Sequence, residues 1–262
     1  MKNSKKEIYA GHGIQYENGK IFAPLFGWIK PLLVDGNAKL GKGVWTFSTL
    51  PGTMIYDVVI NGKSYAVKGT CVCNCKGCYA MTGFYNMPGV KAANAMKTMI
   101  ARSFVDFMRR AITAQIKADN IKLCRLHASG DFFSAEYISA WREIVKACPE
   151  CLFWTYTKNA DAVNAFDDFD NANIVKSIIP GRGFNFGHCD YILRVYRELK
   201  AAGNSVYICK CGIDKNQHCT NCKGCATHDF VLFIEHSTAY KAESDPAFPE
   251  LKAIIESQAE NA

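Results

Sequence analysis

Apolar residues recur at Met96, Ile100, Phe104, Met108, Ile112 and Ile116, each four positions after the last. The chain from Pro88-Gly89 to about Asp119 is therefore expected to be one amphipathic helix with a single buried side, leaving Arg102, Arg109, Arg110 and Lys117 for the outer face. Before it, residues 1 to 60 show no sustained helical period and read as short strands and loops. Two Asn-Gly turns punctuate this stretch, Asn18-Gly19 and Asn61-Gly62. The second is expected to join strands over 54–60 and 64–67 as a hairpin that leads to Cys71.

After residue 120, strand and helix patterns alternate. Strands are expected over 122–127, 151–157, 174–179, 205–209 and 230–235. Ser134 is a candidate N-cap for a helix that buries Tyr137, Ile138, Trp141, Ile144 and Val145, and further helices are expected over about 160–169 and 190–202. A last short helix carries Leu251, Ile254 and Ile255. Counting the strand before Cys71 as first, six largely apolar strands separated by helices or long loops imply an α/β fold with a parallel sheet covered on both faces. Right-handed connections curve six such units into a doubly wound sheet or an incomplete (β/α)6 TIM-like barrel, and either places the functional loops at the carboxyl ends of the strands. That end would gather the loop from Cys71 to Cys78, Ser129-Gly130-Asp131, Tyr156-Thr157-Lys158, Arg182, Cys211 and Glu235-His236 on one rim. The organisation expected is an N-terminal β-rich extension over 1–60, a partial barrel with two cysteine groups over 61–240, and a tail helix within 241–262.

Cysteine usage changes the picture most. Of 13 cysteines, nine fall into two tight groups, 71 to 78 and 209 to 225. The opening Met1-Lys2-Asn3-Ser4-Lys5-Lys6-Glu7 is followed by no apolar run fit for a signal peptide, and no segment is long enough to span a bilayer, so a cytoplasmic protein is expected. In a reducing compartment such groups read as metal ligands rather than disulfides. Cys124, Cys148, Cys151 and Cys189 lie among apolar residues and read as small buried hydrophobes. The formal charge of +7, from 31 Lys and Arg against 24 Asp and Glu, would assist contact with acidic partners. Nucleic acid remains possible on that charge but is not indicated, because the basic residues are spread out and no groove-reading helix is recognisable.

Cys71, Cys75 and Cys78 have the spacing C-x3-C-x2-C. Three converging thiolates would leave one iron of a [4Fe-4S] cluster without a protein ligand, and a zinc site completed by Cys73 is the alternative. Cys211, Cys219, Cys222 and Cys225 form a second set that suits either a further [4Fe-4S] cluster or zinc. Cys209 could stand in for Cys211, and His218 and His228 border the group.

The first spacing, followed by Ser129-Gly130-Asp131 after the next strand, resembles the radical S-adenosylmethionine superfamily. More narrowly, Thr49-Leu50-Pro51-Gly52, Cys78-Tyr79-Ala80, the run Arg125 to Phe132 and Tyr156-Thr157-Lys158 look like the phage-associated gene product 88 family. Gly77 stands where the superfamily usually has an aromatic residue, and Asp131 is one methylene shorter than its usual acid. The superfamily resemblance implies an enzyme that reductively cleaves S-adenosylmethionine to a 5′-deoxyadenosyl radical acting on an unknown substrate. It places Tyr79, His127, Ser129, Gly130 and Asp131 around the cofactor, and it implies an electron donor such as flavodoxin or ferredoxin. The competing class is a metal-stapled module that binds nucleic acid or carries electrons.

Overall fold

The computed structural model describes residues 4–36, 40–71, 78–81, 83–177, 186–210, 213–214, 217–222, 224–234 and 241–258. Cys73, Cys75, Arg182, Cys211, Glu235 and His236 lie outside them. The chain opens with helix α1 (Lys5–Gly11), where Ser4 and Glu7 form a reciprocal capping box. A small antiparallel meander follows, β1 (Tyr16–Glu17), β2 (Lys20–Ala23) and β3 (Gly27–Ile29), its first turn made by Asn18 and Gly19 with positive φ. Next come β4 (Val34–Asp35) and β5 (Val44–Phe47), then the expected hairpin β6 (Ile55–Ile60) and β7 (Lys63–Lys68), turned by Asn61 and Gly62.

The expected long helix is two: α2 (Pro88–Ser103) and α3 (Val105–Ala118), broken at Phe104 with φ −141° and ψ 49°. The spacing explains the break. Residues four apart drift by about 40° around a helix of 3.6 residues per turn, so the stripe from Met96 to Ile116 would wind about halfway round a straight rod. The bend at Phe104 returns it to the core. In α2 the stripe is also only partly the buried face, since Met96 is half-buried while Asn94, Lys97 and Thr98 are buried.

Beyond α3 lie β8 (Leu123–Leu126), α4 (Ala135–Ala147) capped by Ser134, β9 (Leu152–Thr157), the single turn α5 (Ala160–Val163), and β10 (Ala172–Lys176). The helix expected over 160–169 thus amounts to one α turn followed by a 3-10 turn, Asn164–Phe166. The central sheet has the order β10-β9-β8-β5-β4, with four parallel strands and β4 antiparallel at its edge. Its first parallel strand is therefore β5, not the hairpin strand before Cys71; β6 and β7 form a separate two-stranded sheet within the β5–β8 connection. A second sheet, β11 (Phe186–Gly187), β13 (Phe230–Ile234) and β12 (Val206–Ile208), is parallel throughout and is backed by α6 (Cys189–Ala201) and α9 (Phe248–Ser257). Two short helices, α7 (Cys219–Cys222) and α8 (Gly224–Thr227), precede β13. The chain is thus mixed α/β with several sheets.

The two faces of the central sheet meet different layers. Phe47, Cys124, Leu126 and Phe153 pack with Trp141, Ile112 and Met108 in the main core beneath α3 and α4. Val44, Trp154 and Val175 belong to a second cluster with Tyr207, Cys209 and Cys225. No helix among the described residues is long and apolar enough to cross a membrane.

Candidate functional site

The carboxyl ends of β5 and β8 are tied together by a compact set of small polar residues. Thr49 N–H donates to Ser129 O at 3.0 Å, and Ser129 Oγ donates back to Thr49 O at 2.7 Å. Thr70, which enters the cysteine loop, sits between them. Its hydroxyl lies 2.8 Å from Thr49 Oγ1, accepts from Asp131 N–H at 3.0 Å and donates to Leu50 O at 3.3 Å, so a hydroxyl's one donor and two acceptor positions are all used. Gly130 is required here. Its φ is +83°, and a Cβ would collide with Thr49 Oγ1 and lie 2.7 Å from Thr70 Oγ1.

The same arrangement holds Cys71. Thr70 N–H donates to Leu50 O at 2.9 Å, and Gly52 N–H donates to Cys71 Sγ at 3.0 Å. A side chain at Gly69 would run into the Pro51 and Gly52 carbonyls, which keeps the two segments in close contact. Thr49-Leu50-Pro51-Gly52 is thus the cradle of Gly69-Thr70-Cys71, and the amide on Cys71 Sγ favours the thiolate that a metal needs. Cys71 and Cys78 are both partly accessible, and the side chain of Tyr79 lies outside the described residues.

Asp131 is 4% exposed. Its Oδ1 accepts from Thr157 Oγ1 at 2.5 Å and from Phe132 N–H at 2.8 Å, and its Oδ2 accepts from Lys158 N–H at 3.0 Å. Burial pushes its pKa up, and these three donors oppose the rise. A carboxylate has about four acceptor positions, so one remains on Oδ2 for a cationic group. Ser129 Oγ accepts from Asn94 Nδ2 at 3.3 Å, while Thr98 Oγ1 accepts from Leu50 N–H at 2.9 Å. Asn94, Lys97 and Thr98 therefore form a buried polar stripe on α2 aimed at the strand ends.

His127 leaves β8 in the left-handed region with φ +52°. Its Nε2 lies 2.8 Å from Tyr137 Oη, its ring packs against Phe132, and its Nδ1 is buried without a hydrogen-bond partner among the described residues. Burial lowers its pKa to about 3, so the ring is neutral at pH 7. It belongs to the core beside the strand ends. Arg125 lies over the Tyr156 ring at 5.6 Å on the opposite sheet face.

The described helical cysteines of the second group, Cys219, Cys222 and Cys225, do not share this rim. Cys219, Cys222 and Cys225 line a hollow with Trp154. Thr220 Oγ1 donates to Leu40 O and Lys42 O, just before β5, and Asn173 Nδ2, near the start of β10, donates to Cys225 O at 3.1 Å and His228 O at 2.8 Å. α7 and α8 therefore pack on the amino-terminal half of the central sheet. Trp154 is three residues before Thr157, on the order of 10 Å along a strand. Tyr207 Oη lies 2.9 Å from Cys222 Sγ. Cys209 is buried in the same cluster. His228 Nδ1 is 3.0 Å from Gly224 O, with its ring against Tyr207. Among the described residues, no three His, Cys, Asp or Glu side chains are close enough to hold a metal together. Each cysteine set has a member outside those residues, Cys75 in the first and Cys211 in the second.

Sequence reasoning found Cys71, Ser129, Gly130 and Asp131, which the fold brings together, but it missed Thr70, Asn94 and Lys97. Their signal was polarity on the sheet-facing side of α2 and beside a cysteine. The family model for gene product 88 matches residues 31–228. The gene 88 protein of Mycobacterium phage D29 is 26% identical over 106 residues, covering 36% of this chain and 42% of that relative. The gene 88 protein of Mycobacterium phage L5 is 46% identical over 37 residues, covering 14% of this chain and 16% of that relative. The chain thus aligns with less than half the length of either relative. No solved structure matches it.

Proposed function

The chain belongs to the gene product 88 family, and on that premise we propose that it is a radical S-adenosylmethionine-type iron–sulfur enzyme acting on a substrate yet to be identified. The observation that carries this reading is the joining of Cys71 and Asp131 through Thr70. The residue entering the C-x3-C-x2-C loop is bonded at once to Thr49, Leu50 and the backbone of Asp131. A cluster on Cys71, Cys75 and Cys78, with S-adenosylmethionine, would supply one-electron cleavage of a carbon–sulfur bond to a 5′-deoxyadenosyl radical.

The donor chemistry fits such a group. The Gly52 amide supports Cys71 as a thiolate, and Asp131 Oδ2 keeps one acceptor position for an ammonium group. Gly130 lets the backbone pass against Thr49, which holds the acid in place. In this reading the four parallel strands β5, β8, β9 and β10 and the second parallel sheet are parts of an incomplete barrel; the approach of β13 to β10 supports that arrangement. Cys219, Cys222 and Cys225, with Cys211 or Cys209, would hold a second [4Fe-4S] cluster or zinc.

The test is anaerobic reconstitution followed by incubation with S-adenosylmethionine and dithionite. Bound iron and sulfide with formation of 5′-deoxyadenosine are expected, with Cys75→Ala losing the first cluster and Cys73→Ala keeping it. Protein that takes up no iron and sulfide, or yields no deoxyadenosine, refutes the reading. A second reading, with both cysteine groups structural, is favoured by the extent to which Ser129 and Asp131 are already engaged within the fold. Stoichiometric zinc and no cofactor cleavage would select it.

A further inference from the structure

Two tyrosines from different sheets reach the cysteines of α7 and α8. Trp154 and Tyr156, two apart on β9, point to the same face of the central sheet, and that face packs against Tyr207, Cys209 and Cys225. Trp154 lines the hollow shared by Cys219, Cys222 and Cys225. The Tyr156 hydroxyl is buried and closes no hydrogen bond of good geometry among the described residues, although Cys225 lies close enough to act on it. From the second sheet, Tyr207 is buried and sets its Oη 2.9 Å from Cys222 Sγ. Its ring is held in that position. Gly224 lies so close that a Cβ there would collide with the ring, and the His228 ring packs 5.2 Å away.

A buried hydroxyl costs free energy unless something accepts its proton, and a sulfur that carries negative charge is a far better acceptor than a neutral thiol. Burial raises the pKa of both tyrosines, and the neighbouring cysteines add to the rise. Each phenol therefore keeps its proton at pH 7 and stays a donor. We propose that Tyr156 and Tyr207 donate hydrogen bonds to Cys225 Sγ and Cys222 Sγ in the metal-loaded second site, holding both sulfurs as thiolates and moderating their electron donation to the metal. The two are positioning residues, not ligands, and they act as the outer partners that commonly tune metal-bound sulfur. The inference rests on the reading of Cys219, Cys222 and Cys225 as metal ligands. It does not depend on cleavage of S-adenosylmethionine.

The probe is cobalt(II), which thiolates bind whether the native occupant is zinc or iron. It is titrated anaerobically into the metal-free full chain, and the sulfur-to-cobalt charge-transfer absorption that Cys219→Ser or Cys222→Ser removes is assigned to the second site. Wild type should show that absorption. Tyr207→Phe and Tyr156→Phe each delete one oxygen and should bind this cobalt roughly tenfold more weakly. Their band should also move to longer wavelength, because a sulfur that has lost its hydrogen bond is the better electron donor. Metal-free Tyr156→Phe should be at least as stable in urea as metal-free wild type, since its hydroxyl gains a good acceptor only when metal creates the thiolate. A wild-type band and affinity in either phenylalanine variant overturns the proposal, as does a cobalt spectrum that neither serine variant changes. A less stable Tyr156→Phe with an unmoved band would show a packing role and overturns it too. Cofactor cleavage is read separately. If both variants respond as expected while reconstituted wild type makes no 5′-deoxyadenosine, this inference stands and the proposed reaction fails; if deoxyadenosine forms but neither variant moves the band, this inference alone fails.

Discussion

Lys97 is a buried cation that the fold retains at a cost, and replacing it should stabilise the protein. It is 7% exposed on the face of α2 that meets the ends of β5 and β8. Its Nζ lies 5.9 Å from the centre of the Phe47 ring, and no carboxylate pairs with it among the described residues. Burial lowers its pKa from 10.5 to about 8. At about 1.4 kcal/mol for each tenfold change in proton affinity, keeping the ammonium charged at pH 7 costs about 3 kcal/mol. The Phe47 ring offsets about 1 kcal/mol at most. The sign of the pH dependence follows. Between pH 8 and 10.5 the unfolded chain holds the proton that the folded chain has released, so stability rises with pH through that window and is flat on either side of it. Lys97→Met keeps the stem and removes the charge, and should gain about 1–3 kcal/mol at pH 7. Urea unfolding of both proteins at pH 7, 8.5 and 10 provides the measurement, and the gap between them should shrink as pH rises. A variant less stable at pH 7, or a gap that does not change with pH, would show that an anionic partner satisfies Lys97 and that the desolvation argument is wrong.

Three further outcomes are expected. Gly130→Ala should cost about 2–4 kcal/mol, from overpacking against Thr49 and Thr70 and from the left-handed φ, read as a lower denaturation midpoint; a change under 0.5 kcal/mol would mean that the β5 and β8 ends are not locked together. His127 stays neutral down to about pH 3, whereas the unfolded chain binds a proton below about 6.5. Wild type should therefore lose about 3 kcal/mol between pH 6.5 and 4 relative to His127→Asn, which tolerates the same φ; parallel pH curves would count against a buried neutral ring. Cys124, Cys148 and Cys151 are buried thiols, and burial pushes all three up in pKa, Cys148 to about 11. In native protein they should resist iodoacetamide while Cys71 and Cys78 react, as mapped by mass spectrometry, and rapid labelling of Cys148 or Cys151 would revive a redox role for that C-x2-C pair.

How much the sequence discloses differs between the two halves of the problem. Strands β8, β9, β12 and β13 are legible because β-branched, aromatic and apolar runs are bounded by turn residues, and α4 because its apolar stripe and Ser134 cap agree. The break at Phe104 is legible only once the angular drift of a four-residue repeat is counted. The role of β5 is hidden, because four residues between glycine-rich turns resemble any short strand of the first sixty, and pairing with β8 is a long-range choice that no local pattern encodes. At the site, spacing exposes the cysteines and Ser129-Gly130-Asp131. It does not expose Thr70, whose hydroxyl joins three segments, nor Asn94 and Lys97, because a period-based reading assigns polar residues to the outer face of a helix.

The separation of the two cysteine groups gives them different physical tasks. Cys71 follows Thr70, whose hydroxyl accepts from the backbone of Asp131 at the carboxyl ends of the strands, whereas Cys222 and Cys225 lie where segments from both sheets converge. Asn173 grips the Cys225 and His228 carbonyls, Thr220 grips those of Leu40 and Lys42, and Tyr207 Oη meets Cys222 Sγ. A metal held there would close only the short stretch from Cys209 or Cys211 to Cys225, but it would fix the segment whose contacts join both sheets, so its binding free energy would add to that of folding. Cys222→Ser should therefore lower the thermal midpoint and increase amide exchange in β12 and β13. Cys71→Ser should leave both near wild type while reducing the iron bound by reconstituted protein. If Cys71→Ser unfolds the second sheet, or Cys222→Ser leaves stability unchanged, the division of labour between a reactive loop and a structural staple is wrong.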